Sequence, residues 1–216
     1  MNRNKTTDRQ ILAVALATMV LSATAFAAPA WRGTGGTVTF QQWSFNGTDP
    51  NRGPVAPDDG GLGNSFGTPA LYVFGNSAQR SDGAWNLVTD EMDIRIPNSP
   101  ELQPLKEMQI ELIWMAAQNS FLPPQPSISV TPVYADGRHV YPQVSLLGED
   151  QANGWTTTVF SVNITPNPAS EWIYIKGGII VDQVTVDTYC CPEPATFGLL
   201  IGGAFMAIRR KTKGLR

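Results

Sequence analysis

The chain has 216 residues, with 15 Lys and Arg against 18 Asp and Glu, a formal net charge of −3. The basic residues crowd the two ends: residues 28–191 hold 16 acidic against 7 basic side chains, a net of −9, which excludes a nucleic-acid partner because phosphate binding needs a basic surface. One histidine and two cysteines are too few for a structural zinc site or a disulfide scaffold.

Residues 1–27 read as a secretion signal. Arg3, Lys5 and Arg9 form a basic start, residues 11–27 are nearly all apolar, and Ala25-Phe26-Ala27 places small residues where a signal peptidase reads. Cleavage is expected after Ala27, with Ala25 and Ala30 as alternatives.

Residues 28–191 are long enough for one well-filled domain. Val38 and Phe40 alternate with polar neighbours, and Trp43 and Phe45 resume on the other phase, so a bulge is expected near Gln41-Gln42. Residues 46–67 are rich in Asp, Asn, Pro and Gly and read as loop; 71–74 is a short apolar strand. Met92, Ile94 and Ile96 then alternate with Glu91, Asp93 and Arg95, and Met108, Ile110, Leu112 and Trp114 with Glu107, Gln109 and Glu111. That period of two marks half-buried strands. Further strands are expected at 128–130, 159–164, 172–176 and 179–188, with a hairpin-like break at Gly177-Gly178. No long helical period occurs between residues 31 and 189. The pattern predicts an all-β fold, an antiparallel β-sandwich of the jelly-roll kind, flanked by a signal helix and a short C-terminal transmembrane helix. The run Ile179-Ile180-Val181-Asp182-Gln183-Val184-Thr185-Val186-Asp187 resembles the final strand of galactose-binding-like sandwiches; the resemblance implies no ligand residue.

The tail begins with Pro192, Glu193 and Pro194, continues through an apolar stretch at 195–208, and ends in Arg209, Arg210 and Lys211. Those 14 apolar residues would make a helix of about 21 Å, shorter than a bilayer core of roughly 30 Å. The basic end would stay cytoplasmic. The combination resembles a PEP-CTERM sorting signal. The resemblance implies handling by an exosortase, a transient stay in the inner membrane, and delivery to the surface or extracellular matrix of a polysaccharide-producing Gram-negative cell. It transfers no activity. The expected divisions are 1–27 signal peptide, 28–191 β-sandwich and 192–216 sorting signal.

Candidate chemistry is sparse. His139 sits in a turn-like Asp136-Gly137-Arg138-His139, and no Gly-x-Ser-x-Gly elbow accompanies it. Asp49, Asp58 and Asp59 lie in an oxygen-rich loop of the sort that binds calcium, without a recognised calcium-loop spacing. No other cofactor is expected. Adjacent Cys190 and Cys191 pair with each other only as a strained ring, which leaves free thiols or links between chains as the alternatives. The pairs Glu91 with Asp93 and Glu107 with Glu111 share strand faces and read as solvated surface. Trp43 and Trp114 read as core, whereas Trp155 and Trp172 are the candidates for stacking on sugar.

The expectation is a non-enzymatic surface or matrix protein with a structural or adhesive role. The alternatives are a carbohydrate-binding module and a polysaccharide-active enzyme. A row of aromatic rings on one exposed face would favour the module, and two carboxylates about 5–9 Å apart in a concave cleft the enzyme.

Overall fold

In a computed structural model, the described residues are 28–32, 37–45, 52–75, 77–87, 90–101, 103–118 and 120–191. The signal segment, the tail with Pro192, Glu193, Pro194, Arg209, Arg210 and Lys211, and Asp49 lie outside them.

Eleven strands occur among the described residues: β1 (Val38–Ser44), β2 (Ala70–Val73), β3 (Ala78–Gln79), β4 (Trp85–Asn86), β5 (Glu91–Pro97), β6 (Leu105–Ala116), β7 (Ser127–Val133), β8 (Val144–Ala152), β9 (Trp155–Ile164), β10 (Ser170–Lys176) and β11 (Ile179–Cys191). They form two antiparallel sheets, and no helix occurs among the described residues. One sheet has four strands in the order β2-β5-β10-β7. The other has seven, with β11-β6-β9-β8 as its spine; β1 and β4 share the far side of β11, and β3 extends β4.

Alternation decides which side of each strand enters the core. In β6, Met108, Ile110, Leu112 and Trp114 are buried and their odd-numbered neighbours are not. The opposing sheet supplies Leu71, Val73, Met92, Ile94, Ile96, Ile173 and Ile175, all buried in the same cluster. Each fully buried side chain of this size contributes roughly 1.5–3 kcal/mol, which offsets the ordering of a chain with this many loops. Truncating a central member such as Ile94 to Ala would cost about 2–5 kcal/mol through lost burial and the cavity left behind. Trp43 is buried too, and its indole nitrogen donates to the Val55 carbonyl at 3.1 Å, tying the loop after β1 to the core.

Three details depart from the sequence expectation. β1 pairs with β11 in unbroken register from Val38 to Ser44, so the bulge expected at Gln41-Gln42 is absent. Thr39, Gln41 and Trp43 face inward and Val38 and Phe40 outward; the inner Thr39 hydroxyl meets that of Thr188 at 2.7 Å, which makes a polar residue tolerable inside. The irregularity lies on the partner instead, between Val181 and Gln183. Gly177-Gly178 is not a hairpin turn, because β10 and β11 belong to different sheets. The link crosses from one sheet to the other beneath the loop at 120–125, and a Cβ on Gly178 would come within 2.6 Å of Ser120 Cβ, so only glycine fits. Finally, β8 is an exposed edge strand that no alternation announced.

Candidate functional site

The four-stranded sheet turns one face to the core and the other to solvent. Strand pairing places Tyr72, Asp93, Tyr174 and Ser129 in one row across that outer face, and Ala70, Arg95, Trp172 and Thr131 in the next. Phe74 follows at the end of β2, where its backbone N–H donates to the Glu91 carbonyl at 3.1 Å. Glu91 is paired in turn with Lys176, the two side chains meeting at 2.7 Å.

Three rings on this face form a continuous row. Tyr72 and Phe74 stack at 6.2 Å between centroids with 22° between planes, and Tyr72 meets Trp172 at 5.8 Å and 42°. Phe74 is 47% exposed, and Tyr72 and Trp172 are half-buried. The row follows from the period of two: in β2 the buried Leu71 and Val73 point inward, so Tyr72 and Phe74 point outward, and in β10 the buried Ile173 and Ile175 leave Trp172 and Tyr174 outward.

The charges on the face balance, with Glu91 and Asp93 against Arg95 and Lys176. Asp93 lies between Tyr72 and Tyr174 in the register and is itself buried. Burial, assisted by Glu91 and opposed by Lys176, pushes its carboxyl up to about 6. Its Oδ1 has no hydrogen-bond partner in the protein. The Tyr174 phenol is also raised, first by burial and then by Asp93 and Glu91. The assembly is an aromatic strip flanked by polar groups of both signs, suited to a ligand with alternating apolar faces and hydroxyl edges.

Trp172, one of the two tryptophans singled out above, is thus in the row. Trp155 is elsewhere. It follows the Asn153-Gly154 turn, both residues at positive φ (55° and 83°), and packs beside Met115 against Ala84, Ala117 and Ile180 of the other sheet. The two tryptophans cannot serve one ligand. Beside that turn, on the inner side of the wider sheet, lies a cavity of about 500 Å³ lined by Trp114, Gln125, Glu149, Gln151, Asn153 and Thr156. Trp114 Nε1 donates to Thr158 Oγ1 at 2.9 Å, and that hydroxyl donates to Glu149 at 3.2 Å.

The remaining candidates are occupied with local structure. Asp58 accepts the backbone N–H of Ser44 at 3.0 Å, and Asp59 accepts those of Gly61 and Gly63 at 2.8 and 2.6 Å. Among the described residues no group of metal-ligating side chains is gathered. His139 is exposed in the loop between β7 and β8. Cys190 is a free, buried thiol, pushed up by burial. Glu91 and Asp93 lie on the outer face of the four-stranded sheet, and Glu107 and Glu111 on the outer face of the seven-stranded one. Tyr72 and Phe74 escaped sequence reasoning; their alternation with Leu71 and Val73 was the available signal.

No protein-family model matches the chain, and no curated protein is similar to it. Among solved structures it is similar to the CBM22-1 xylan-binding domain from Paenibacillus barcinonensis Xyn10C, at 12% identity over 67% of this chain and 90% of that one, with a TM-score of 0.31. It is also similar to CBM28, a non-crystalline cellulose specific carbohydrate-binding module, at 13% identity over 64% and 87% of the two chains, TM-score 0.30. The enzymatically active domain of tailspike protein 4 from bacteriophage CBA120 matches at 13% identity over 70% of this chain but 18% of its own, TM-score 0.26. Likenesses this distant leave ligand and activity open; the two-sheet architecture rests on the strands themselves.

Proposed function

We propose that this chain is an exported, non-catalytic protein whose sandwich binds polysaccharide through the outer face of the four-stranded sheet, and that any structural or adhesive role is exercised through that binding. The observation that carries the reading is the row Phe74, Tyr72 and Trp172, spaced at 6.2 and 5.8 Å on a face with no excess of either charge. Sugar rings stack their C–H faces on aromatic planes, while their hydroxyls seek partners among the charged side chains of the same face, Glu91, Arg95 and Lys176. A balanced face suits a neutral or weakly charged glycan. We read the strand order as a jelly roll in which β8 has joined the sheet of β9. The acidic loop at 46–60 stays a calcium candidate; Asp58 and Asp59 already accept backbone N–H groups there, and Asp49 lies outside the described residues.

Binding to a glycan array, with and without calcium, tests the reading. Specific binding that is lost in Trp172→Ala and kept in Trp155→Ala supports it; no specific binding in either condition ends it. Export rests on the two terminal signals. Replacing Pro192-Glu193-Pro194 is expected to leave the protein in the inner membrane, and unchanged release with normal tail cleavage would refute exosortase sorting.

A further inference from the structure

At one end of the sandwich three polar side chains from three different segments meet away from solvent. Lys106 stands on the inner side of β6, Glu171 on the inner side of β10, and Asn98 just beyond β5, with relative exposures of 0%, 0% and 6%. Glu171 Oε1 accepts from Lys106 Nζ at 2.6 Å. Its other oxygen accepts from the Asn98 carboxamide nitrogen, and the carboxamide oxygen accepts from the same Lys106 Nζ. Asn98 Nδ2 also donates to the Pro168 carbonyl at 3.0 Å, and the Asn98 backbone N–H to that of Ala169 at 3.1 Å, so the carboxamide is held in one orientation. Ile164 and Cys190 flank Lys106 in the sheet, and Ile96 flanks Glu171.

A buried salt bridge needs only the amine and the carboxylate. Here the carboxylate touches both the amine and the nitrogen of the amide that the amine faces. That places a nucleophile, an acyl carbon and a proton carrier in contact away from solvent, the arrangement that amide exchange requires.

We infer that Lys106 and Asn98 are the partners of an intramolecular isopeptide bond, formed by the chain on itself with Glu171 moving the protons. Glu171 takes a proton from the Lys106 ammonium, a transfer that removes two opposite charges from an apolar interior. The freed Nζ lone pair attacks Asn98 Cγ, the new C–N bond forms, and the carbonyl electron pair moves to Oδ1. Glu171 delivers its proton to Nδ2. The carbonyl re-forms, the Cγ–Nδ2 bond breaks, and ammonia leaves. The second Nζ proton passes through Glu171 and departs with the ammonia as ammonium, so Glu171 ends ionised as it began. No oxidant or co-reactant enters. A cavity of about 310 Å³ is lined by Ser99, the next residue after Asn98, and by Pro168, whose carbonyl accepts from Asn98, and it would give the ammonia a way out. The bond would join β6 of one sheet to the end of β5 of the other, making the contact between the layers covalent at that end.

The test is mass spectrometry of the full chain purified after export, measured intact in denaturant and then as tryptic peptides. The expected result is a mass one ammonia below that of the processed sequence, no cleavage after Lys106, and a peptide starting at Ile96 in which Asn98 and Lys106 are joined. A full mass with normal cleavage after Lys106 would overturn the inference. So would a lost ammonia with cleavage after Lys106 intact, which marks closure of Asn98 on its own backbone. Glu171→Gln keeps the side-chain shape and is expected to retain the ammonia; bond formation in that variant would remove Glu171 from the chemistry. The wild-type measurement decides the bond whether or not the variant folds.

Discussion

The two sheets present opposite solutions to the same problem. On the seven-stranded sheet the outer face carries Phe40, Asp187 and Tyr189, and residues 31 and 32 pack on them, burying Asp187 and leaving the two rings half-buried. Trp31 stacks on Tyr189 at 6.2 Å, Arg32 Nε donates to Asp187 at 2.7 Å, and the Arg32 guanidinium lies 4.5 Å from the centre of the Phe40 ring. On the four-stranded sheet Phe74, Tyr72 and Trp172 touch one another and remain half-exposed or exposed. A face that its own sequence covers is completed by folding. A face whose rings stay open to solvent is the one a ligand can use.

The strongest way to break this comparison is to remove the open rings. Tyr72→Ala with Trp172→Ala should weaken glycan binding by about a hundredfold, near 2.7 kcal/mol, as read by affinity electrophoresis or calorimetry. The thermal midpoint should move little, since neither ring belongs to the core cluster. If binding survives the double substitution, the open face is not the site. Next in size is the covered face. Arg32→Ala strands the buried Asp187 carboxylate, and a cost of about 2 kcal/mol in urea unfolding is expected with glycan binding unchanged. A loss of binding instead would mean that the two faces are coupled.

The smallest effect concerns Asp93. Its folded value, about 6, lies above the ordinary 3.8, so the fold favours the protonated form. That contribution is fully present below the ordinary value and is lost as pH rises through about 6. Asp93→Asn should therefore stabilise the domain by about 1 kcal/mol at neutral pH, a figure reduced for partial solvation, and by almost nothing near pH 4. Equal shifts at both pH values would show that the carboxyl is not held as described.

Much of this was legible in the chain. Strands β5, β6 and β10 were readable because their inner residues are buried and most outer ones are not, and Trp172 was placed outward by the same rule; β11 was readable from its β-branched run although both its faces are largely buried. β8 was hidden because it is an edge strand with both Leu146 and Leu147 exposed and an irregular register between Leu146 and Gly148, so no alternation survives. Tyr72 and Phe74 were masked by Leu71 and Val73: four consecutive apolar residues read as one short apolar strand without a facing, although only alternate ones are buried. Which strands become neighbours is a long-range matter that local periodicity does not encode, so the ring row could not be assembled in advance. Lys106 was closer to hand. Extending the even-numbered inner face of β6 back by one step puts a lysine inside, and a buried lysine demands a partner.

The most direct test of the open face is to follow the six tryptophan indole N–H signals by nuclear magnetic resonance while adding the oligosaccharide best bound on the array. The account predicts that the Trp172 signal shifts in proportion to occupancy while those of Trp155 and Trp31 stay in place. A saturable shift at Trp155 or Trp31 with Trp172 unmoved would contradict it.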